Sequence, residues 1–159
     1  MTPAIVIRKA KASDFDAICY LHTVLLTHLR SVHSSRYQES AAEKKRFAKK
    51  LAGMLQDPNA RVLCAVAGKQ VVGFANGRIG QSPLFVLHNR FGEIDEVVVD
   101  HSFRKQGITR KLISELIAWF KTKKVKRMEL TVDAYNAVAI KAWKALGFNT
   151  HLLIMSRKL

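Results

Sequence analysis

The feature that most constrains the fold is a strand, a loop, a helix and a second strand that follow one another between residues 92 and 132. Residues 92–99 are rich in β-branched side chains, as in a buried strand. Apolar residues recur with a period of about 3.6 over 108–120, and 128–132 is strand-like again. Two strands joined by a helix form a right-handed crossover and lie parallel in one sheet. The sequence therefore predicts an α/β fold.

Three further strands and two helices are predicted before this unit. Runs of β-branched and other apolar residues at 5–10, 61–67 and 71–79 indicate strands. The last two are separated by Gly68-Lys69-Gln70, a typical hairpin connection. Between the first two, Ser13-x-x-Asp16 and Ser40-x-x-Glu43 resemble capping boxes, which begin helices.

The chain is predicted to end with a helix and a strand. Asn136 is a suitable N-cap for a helix that ends at Gly147, and residues 148–155 are predicted to close the sheet. The element order is then β-α-α-β-β-β-α-β-α-β, a mixed α/β fold with a central twisted sheet and helices on both faces. No repeat or linker interrupts this order, so residues 1–159 are expected to form a single domain.

The charge balance is the unusual part of the composition. There are 27 Lys and Arg residues against 12 Asp and Glu, a net charge of +15 that attracts anions with several charges. Hydrophobic residues make up 48% of the chain, which excludes wholesale disorder. The basic run 121–127 contains no aromatic residue, and Phe47 of the run 44–50 lies on an apolar stripe. Nucleic acid is therefore not expected as the primary partner.

Cysteine usage and hydropathy indicate a cytoplasmic protein without a membrane partner. Cys19 and Cys64 lie among apolar neighbours and are interpreted as small buried residues in a reducing compartment. There is no Cys-x-x-Cys, so no metal site is predicted. No segment approaches the ~18 apolar residues of a membrane span, and the N-terminus lacks a signal-peptide pattern.

The loop after the strand at 92–99 carries the most informative motif. Residues 104–111 are Arg-Lys-Gln-Gly-Ile-Thr-Arg-Lys, directly before a helix. The N-terminus of a helix presents unpaired N–H groups, and a glycine in the preceding turn lets an anion approach the main chain. The glycine spacings of the Walker loop and of the dinucleotide fingerprint are absent. The motif indicates either a pyrophosphate-binding turn or a basic strand-to-helix corner.

In its element order and in two motifs the chain resembles the GNAT superfamily of acyl-CoA N-acyltransferases. The motifs are Arg-x-x-Gly-x-Thr at 104–109 and Asn-Ala-Val-Ala-Ile-x-x-Trp-x-x-Leu-Gly-Phe at 136–148. The resemblance covers nearly the whole chain and is strongest over 93–148. It implies that acetyl-CoA is the acyl donor.

The resemblance also implies which residues bind acetyl-CoA. The loop would hold the pyrophosphate, Val97 and Val99 would contact the pantetheine arm through their backbone, and Asn136 would lie near the thiol end. The cofactor-binding residues implied in this way are Val97, Val98, Val99, Arg104, Lys105, Gln106, Gly107, Ile108, Thr109, Arg110, Asn136 and Trp143.

Two positions depart from the family pattern. Thr109 replaces a second small residue and adds a β-branched side chain, whose hydroxyl can itself donate to phosphate. Trp143 stands where the family often has a tyrosine that protonates the leaving thiolate, and an indole cannot act as that acid. The thiolate would then leave unassisted, take a proton from water, or use Tyr135, Tyr37 or Tyr20.

Acidic residues are concentrated just before the loop. Glu93, Asp95, Glu96 and Asp100 lie within eight residues of a chain that has only 12 acids. Alternation along a strand directs Glu93 and Asp95 to one face and Glu96 to the other, unless a bulge intervenes. The resemblance implies an acid at Glu93 in histone-type members and at Glu96 in many small-amine members. Both are assigned to the catalytic site as candidate bases, whereas Asp95 and Asp100 can instead neutralise nearby cations.

The predicted function is transfer of the acetyl group of acetyl-CoA to a primary amine by direct attack in a ternary complex. The acceptor, a small molecule or a protein amine, is expected to be cationic and is not identified. In the family the segment 30–37 would border the acceptor, and members often dimerise through C-terminal strands. His22 is interpreted as a packed, hydrogen-bonded histidine. The alternative is a catalytically weak module that senses acetyl-CoA or binds nucleic acid through its basic surface.

Overall fold

The computed structural model describes residues 4–159. Two short 3-10 turns, Ala12–Asp14 and His101–Phe103, accompany the main elements. The main elements are β1 (Ile5–Lys9), α1 (Phe15–Val32), α2 (Ala41–Gln56), β2 (Ala60–Ala67), β3 (Gln70–Gln81), β4 (Arg90–Val99), α3 (Ile108–Thr122), β5 (Met128–Leu130) and α4 (Ala137–Ala145).

The five strands form one sheet in the order β1-β2-β3-β4-β5. The first four are antiparallel to their neighbours, and β5 lies parallel to β4. Since α3 connects β4 to β5, the predicted crossover unit and the mixed α/β class are confirmed.

Helices cover both faces of the sheet, and each face has its own core. Side chains of β2 alternate between them: Leu63 and Ala65 face α3, whereas Val62 and Cys64 face α1 and α2. This alternation buries strands on both faces, as their continuous apolar sequence predicts. No described helix combines the length and the apolar character that crossing a bilayer demands.

The start of α1 differs from the prediction. The backbone N–H of Lys11 donates to Oδ2 of Asp14 at 2.7 Å, and Arg8 donates to the same carboxylate at 2.7 Å. Asp14 thus organises the 3-10 turn that leads into α1, and the capping box predicted at Ser13 is wrong. At α2 the prediction is confirmed, because Oγ of Ser40 accepts the N–H of Glu43 at 3.1 Å.

The C-terminal segment also differs from the prediction. Residues 148–155 form no strand, and β5 ends at Leu130, before the predicted boundary at 132. Leu152–Met155 are four consecutive apolar residues, and all are more than three quarters exposed. A run without alternation defines no single buried face, so its pattern does not fix a register against the short β5.

Candidate active site

A β-bulge in β4 determines where the acidic side chains point. Asn76 of β3 pairs with Glu96 and the next residue, Gly77, pairs with Ile94, so that Asp95 is an extra residue in β4. Oδ1 of Asn76 accepts the backbone N–H of Glu96 at 2.9 Å, which fixes the irregular register. A bulge changes the facing of the residues that follow it.

The bulge brings the three acids of β4 to the same face. Ile94 belongs to the core beneath α3, so its neighbour Glu93 faces the helices α1 and α2. Asp95 contacts Lys50 of α2, and Glu96 contacts His22 of α1. The bulge named as the exception to simple alternation is therefore present, and it places Glu96 on the same face as Glu93 and Asp95.

Glu96 is bound by a histidine. Its Oε2 lies 2.9 Å from Nδ1 of His22, and the Glu96 side chain is 15% exposed. The His22 ring is parallel to Phe47, with centroids 3.7 Å apart. The prediction that His22 is packed and hydrogen-bonded is confirmed. A partly buried carboxylate without a Lys or Arg salt bridge in the described chain is a suitable proton acceptor.

The other acids are paired with cations or with backbone groups. Glu93 lies 2.8 Å from Nη2 of Arg78. Asp95 lies 3.4 Å from Nε of Arg78 and 3.3 Å from Nζ of Lys50. Asp100 accepts the N–H of Ser102 at 2.9 Å in the turn after β4. Of the two candidate bases, Glu96 is therefore the one without a guanidinium partner.

The edge of β4 is open next to Glu96. The ladder to β5 contains three pairs and ends at Ile94 and Leu130, whereas β4 continues to Val99. The N–H of Glu96 points to β3, so alternation directs the backbone groups of Val97 and Val99 to the opposite, open edge. The structure thus leaves backbone donors and acceptors available beside the candidate base. The side chain of Val98 belongs to the core beneath α1 and α2.

The loop 104–107 leads into α3 through two left-handed residues. Lys105 has φ 63° and Gly107, the N-cap of α3, has φ 73°. No side chain caps α3 within the described chain. The N–H groups of Ile108, Thr109 and Arg110 are thus at the positive end of a helix of 15 residues. This geometry suits an anion, as the sequence motif predicts.

Basic and polar side chains surround this helix end. Arg104, Lys105, Gln106 and Arg110 are exposed, and Thr109 is half-buried. Nε of Arg104 donates to the carbonyl of Val99 at 3.2 Å, so this side chain bridges the loop and the open edge of β4.

Asn136 and Trp143 both have structural contacts. Oδ1 of Asn136 accepts the N–H of Ala139 at 3.1 Å and caps α4, as predicted. The Trp143 ring packs edge-on against Phe148 with centroids 5.3 Å apart. Both residues therefore anchor α4, whatever further contact they make to a ligand.

A second polar cluster lies where the chain leaves β5. Oδ2 of Asp133 is 2.8 Å from Nδ1 of His33, and the His33 ring packs against Tyr135 at 4.6 Å. Burial raises the pKa of Asp133, but three hydrogen bonds outweigh burial and lower this pKa overall. They come from the His33 side chain, the backbone N–H of Tyr135 and the Tyr37 side chain. Burial and the bond to Asp133 raise the pKa of Tyr37. The cluster ties the segment after α1 to the open end of β5.

An open depression of about 510 Å³ borders this cluster. It contains the cation of Arg30 and the carboxylate of Glu39, and Tyr37 is shared with the Asp133 cluster. Its lining residues are Thr27, Arg30, Ser31, Ser34, Tyr37, Gln38 and Glu39. The segment 30–37, predicted to border an acceptor, thus lines a concave surface with both charge signs.

The cysteines are unsuited to nucleophilic catalysis. Cys64 is fully buried, and burial raises the pKa of its thiol to about 12. Burial and the nearby Asp16 also raise the pKa of Cys19. Neither thiol is a ready nucleophile at neutral pH.

Sequence reasoning missed Asn76, Glu43 and Asp133. Asn76 is in the middle of a strand-like run, and only the register of β3 against β4 shows that it anchors the bulge. The contacts of Glu43 with His22 and of Asp133 with His33 join segments distant in sequence, so no local motif could reveal them.

Comparison with known proteins identifies relatives over most of the chain. Residues 25–148 match the family model described as the acetyltransferase (GNAT) family. The L-amino acid N-acetyltransferase AaaT of Escherichia coli is 31% identical over 153 residues, which cover 91% of this chain and 82% of that protein.

Solved structures share the fold. A single-residue mutant of the BH1408 protein from Bacillus halodurans superposes with a TM-score of 0.86 at 22% identity, covering 97% of this chain and 99% of that one. Aminoglycoside N-acetyltransferase AAC(6')-Iy, solved in complex with CoA, gives a TM-score of 0.76 at 20% identity. The match covers 99% of this chain and 97% of that one. Both confirm the predicted mixed α/β fold class.

Proposed function

The chain belongs to the acetyltransferase (GNAT) family, and from this membership we propose that it acetylates the primary amine of a small molecule by direct attack in a ternary complex. Acetyl-CoA is the acyl donor. The observation that carries the proposal is the position of Glu96, a carboxylate held by His22 beside the open edge of β4.

The donor would be held by the open edge of β4 and the start of α3. The N–H groups of Ile108, Thr109 and Arg110 would bind the pyrophosphate, with exposed Arg104 and Lys105 adding positive charge. Backbone groups of Val97 and Val99 would hold the pantetheine arm by strand-like hydrogen bonds.

Acetyl-CoA supplies a thioester carbonyl that an uncharged amine can attack. Glu96 removes a proton from the ammonium form of the acceptor and so frees the lone pair that forms the new C–N bond while the C–S bond breaks. The nitrogen then loses its second proton to water as the amide forms. The N–H of Val97, fixed in the strand, donates to the carbonyl oxygen as negative charge develops on it. The proton for the departing sulfur comes from water or from a tyrosine, for which Tyr37 and Tyr135 are candidates.

Free amino acids are the acceptor class that we propose first. The relative of known activity that is 31% identical acts on L-amino acids. The depression beside Tyr37 contains Arg30, which can bind a carboxylate, whereas the carboxylate of Glu39 is already paired with Lys44 at 2.8 Å. An amino acid held at Arg30 through its carboxylate would keep its amine for Glu96, whereas a polyamine has no carboxylate to pair with Arg30.

The test is a steady-state assay of thiol release with acetyl-CoA and a panel of L-amino acids, polyamines, aminoglycosides and peptides with free N-termini. The proposal predicts turnover with amino acids and intersecting initial-velocity patterns, as a ternary complex requires. Arg30→Ala should raise KM for the amino acid more than tenfold and leave KM for acetyl-CoA unchanged. Parallel patterns would contradict direct attack, and turnover with polyamines alone would contradict the acceptor assignment.

A further inference from the structure

His22 is a buried polar residue that the family motifs do not include. Its side chain is 5% exposed and lies on α1, between Glu96 of β4 and Glu43 of α2. A buried imidazole costs free energy unless its nitrogens are satisfied. The His22 contacts therefore indicate a specific role.

The ring of His22 is held in one orientation. It is parallel to the Phe47 ring within 1°, with centroids 3.7 Å apart. Nδ1 is at hydrogen-bond distance from Glu96, at 2.9 Å, whereas Nε2 is 3.7 Å from Oε1 of Glu43 and has no hydrogen-bond partner among residues 4–159. When Glu96 is ionised, Nδ1 must be the protonated nitrogen, because a carboxylate only accepts.

We propose that His22 is a positioning residue for the transfer reaction: its Nδ1–H holds one oxygen of Glu96, so that the other oxygen faces the acceptor amine beside Val97. This inference rests on the proposed function, in which Glu96 is the base. The bulge and the Asn76 bond fix the Glu96 backbone, and His22 fixes the end of its side chain. Together they restrict a flexible glutamate to one orientation.

The charged groups around the pair come from two elements. Helix α2 contributes Glu43, which is paired with Arg46 at 2.8 Å, and Lys50, which lies 3.3 Å from Asp95 of β4. Arg46 also lies within electrostatic range of Glu96. Without the imidazole, Glu96 loses its hydrogen bond from Nδ1 of His22 and interacts only with these charges. The pH dependence of turnover should therefore change together with the rate of turnover.

The experiment compares His22→Leu with His22→Asn. Asparagine places an amide N–H near the position of Nδ1, whereas leucine fills the space without a donor. We expect His22→Leu to lower kcat about 10- to 100-fold, as misplacement of a catalytic group does, and to shift the acidic limb of the kcat–pH profile. KM for acetyl-CoA should stay within twofold, and His22→Asn should recover most of kcat. His28→Asn, on the same helix, is the control and should behave as the native protein.

The outcomes separate this inference from the proposed function. If Glu96→Gln abolishes turnover while His22→Leu keeps the native kcat and pH profile, the reaction stands and the role of His22 is overturned. Equal losses in His22→Leu and His22→Asn would also overturn it, because packing alone would explain them. If the native protein turns over no amine, the proposed function fails. Nitrogen-15 NMR of the His22 imidazole then still tests the contact with Glu96. The contact predicts that Nδ1 is protonated and that its signal changes in Glu96→Gln.

Discussion

The side-chain oxygen of Asn76 accepts the backbone N–H of Glu96 at 2.9 Å, at the point where β3 and β4 change register. Asn76 is fully buried, so this bond is shielded from water. It holds the bulge that brings Glu96 to the face of α1, and the same strand then continues past the end of β5. The position of the candidate base thus depends on a residue of the neighbouring strand.

Replacing Asn76 with alanine should therefore affect both stability and turnover. The buried N–H of Glu96 loses its acceptor, which costs about 1–3 kcal/mol of unfolding free energy. The bulge becomes free to relax, and kcat should fall about tenfold or more. Urea denaturation and thiol-release kinetics measure the two effects.

Asp57→Ala is the matched control. The Asp57 side chain also accepts a backbone N–H, from Asn59 at 2.7 Å, but it lies in a turn away from β4. This variant should lose some stability and keep the native kcat. A native kcat in Asn76→Ala would contradict the role given to the bulge.

Glu96→Gln and Glu93→Gln should differ sharply. Glu96 has no Lys or Arg salt bridge in the described chain and is available as a base. Glu96→Gln should therefore lower kcat about 100-fold or more. Glu93 is paired with Arg78, so Glu93→Gln should lower kcat less than threefold. Acetyl-CoA affinity, measured by calorimetry, should stay within twofold in both variants. A loss of kcat in Glu93→Gln that is larger than the loss in Glu96→Gln would reverse the assignment of the base.

Gly107→Ala should weaken acetyl-CoA binding through the backbone. Gly107 has φ 73°, and an added Cβ would meet no atom within 4 Å, so only the left-handed conformation penalises alanine, by about 1–2 kcal/mol. Relief of this strain would turn the first N–H groups of α3 away from the pyrophosphate. We expect Kd for acetyl-CoA to rise about tenfold.

Gly68 provides a control with the same backbone strain. It has φ 60° and open space around it, and it lies in the hairpin between β2 and β3. Gly68→Ala should lose similar stability and bind acetyl-CoA as the native protein does. Equal affinity losses in the two variants would show that stability, not the loop, determines binding.

The Asp14 carboxylate should stabilise the fold in a pH-dependent manner. Its hydrogen bond with Arg8 lowers the pKa of Asp14 in the folded chain, so the stabilisation is present above the ordinary carboxyl pKa and is lost as pH falls through the lower folded value. Asp14→Asn should cost about 2 kcal/mol at neutral pH.

Urea denaturation at several pH values tests this sign. The difference between the native protein and Asp14→Asn should be constant from about pH 5 to 7 and shrink below about pH 4. Asp16→Asn, an exposed change two residues away, should stay within about 0.5 kcal/mol at every pH. A difference that grows in acid would contradict the role of the ion pair.

The crossover unit could be predicted because its periodic patterns are local: the buried strand, the glycine turn and the amphipathic α3 each occupy consecutive residues. The bulge could not be located, because it depends on Asn76 of another strand. The end of β5 at Leu130 and the unpaired segment 148–155 were also unpredictable. Their pairing depends on tertiary contacts, which strand propensity does not determine.

The central claim, that the start of α3 and the open edge of β4 bind acetyl-CoA, is tested most directly by calorimetric titration of the protein at physiological ionic strength. We predict saturable binding of one acetyl-CoA per chain, with affinity lowered in Gly107→Ala and native in Gly68→Ala. No binding heat under conditions where the protein is folded, or equal binding in all three proteins, would contradict it.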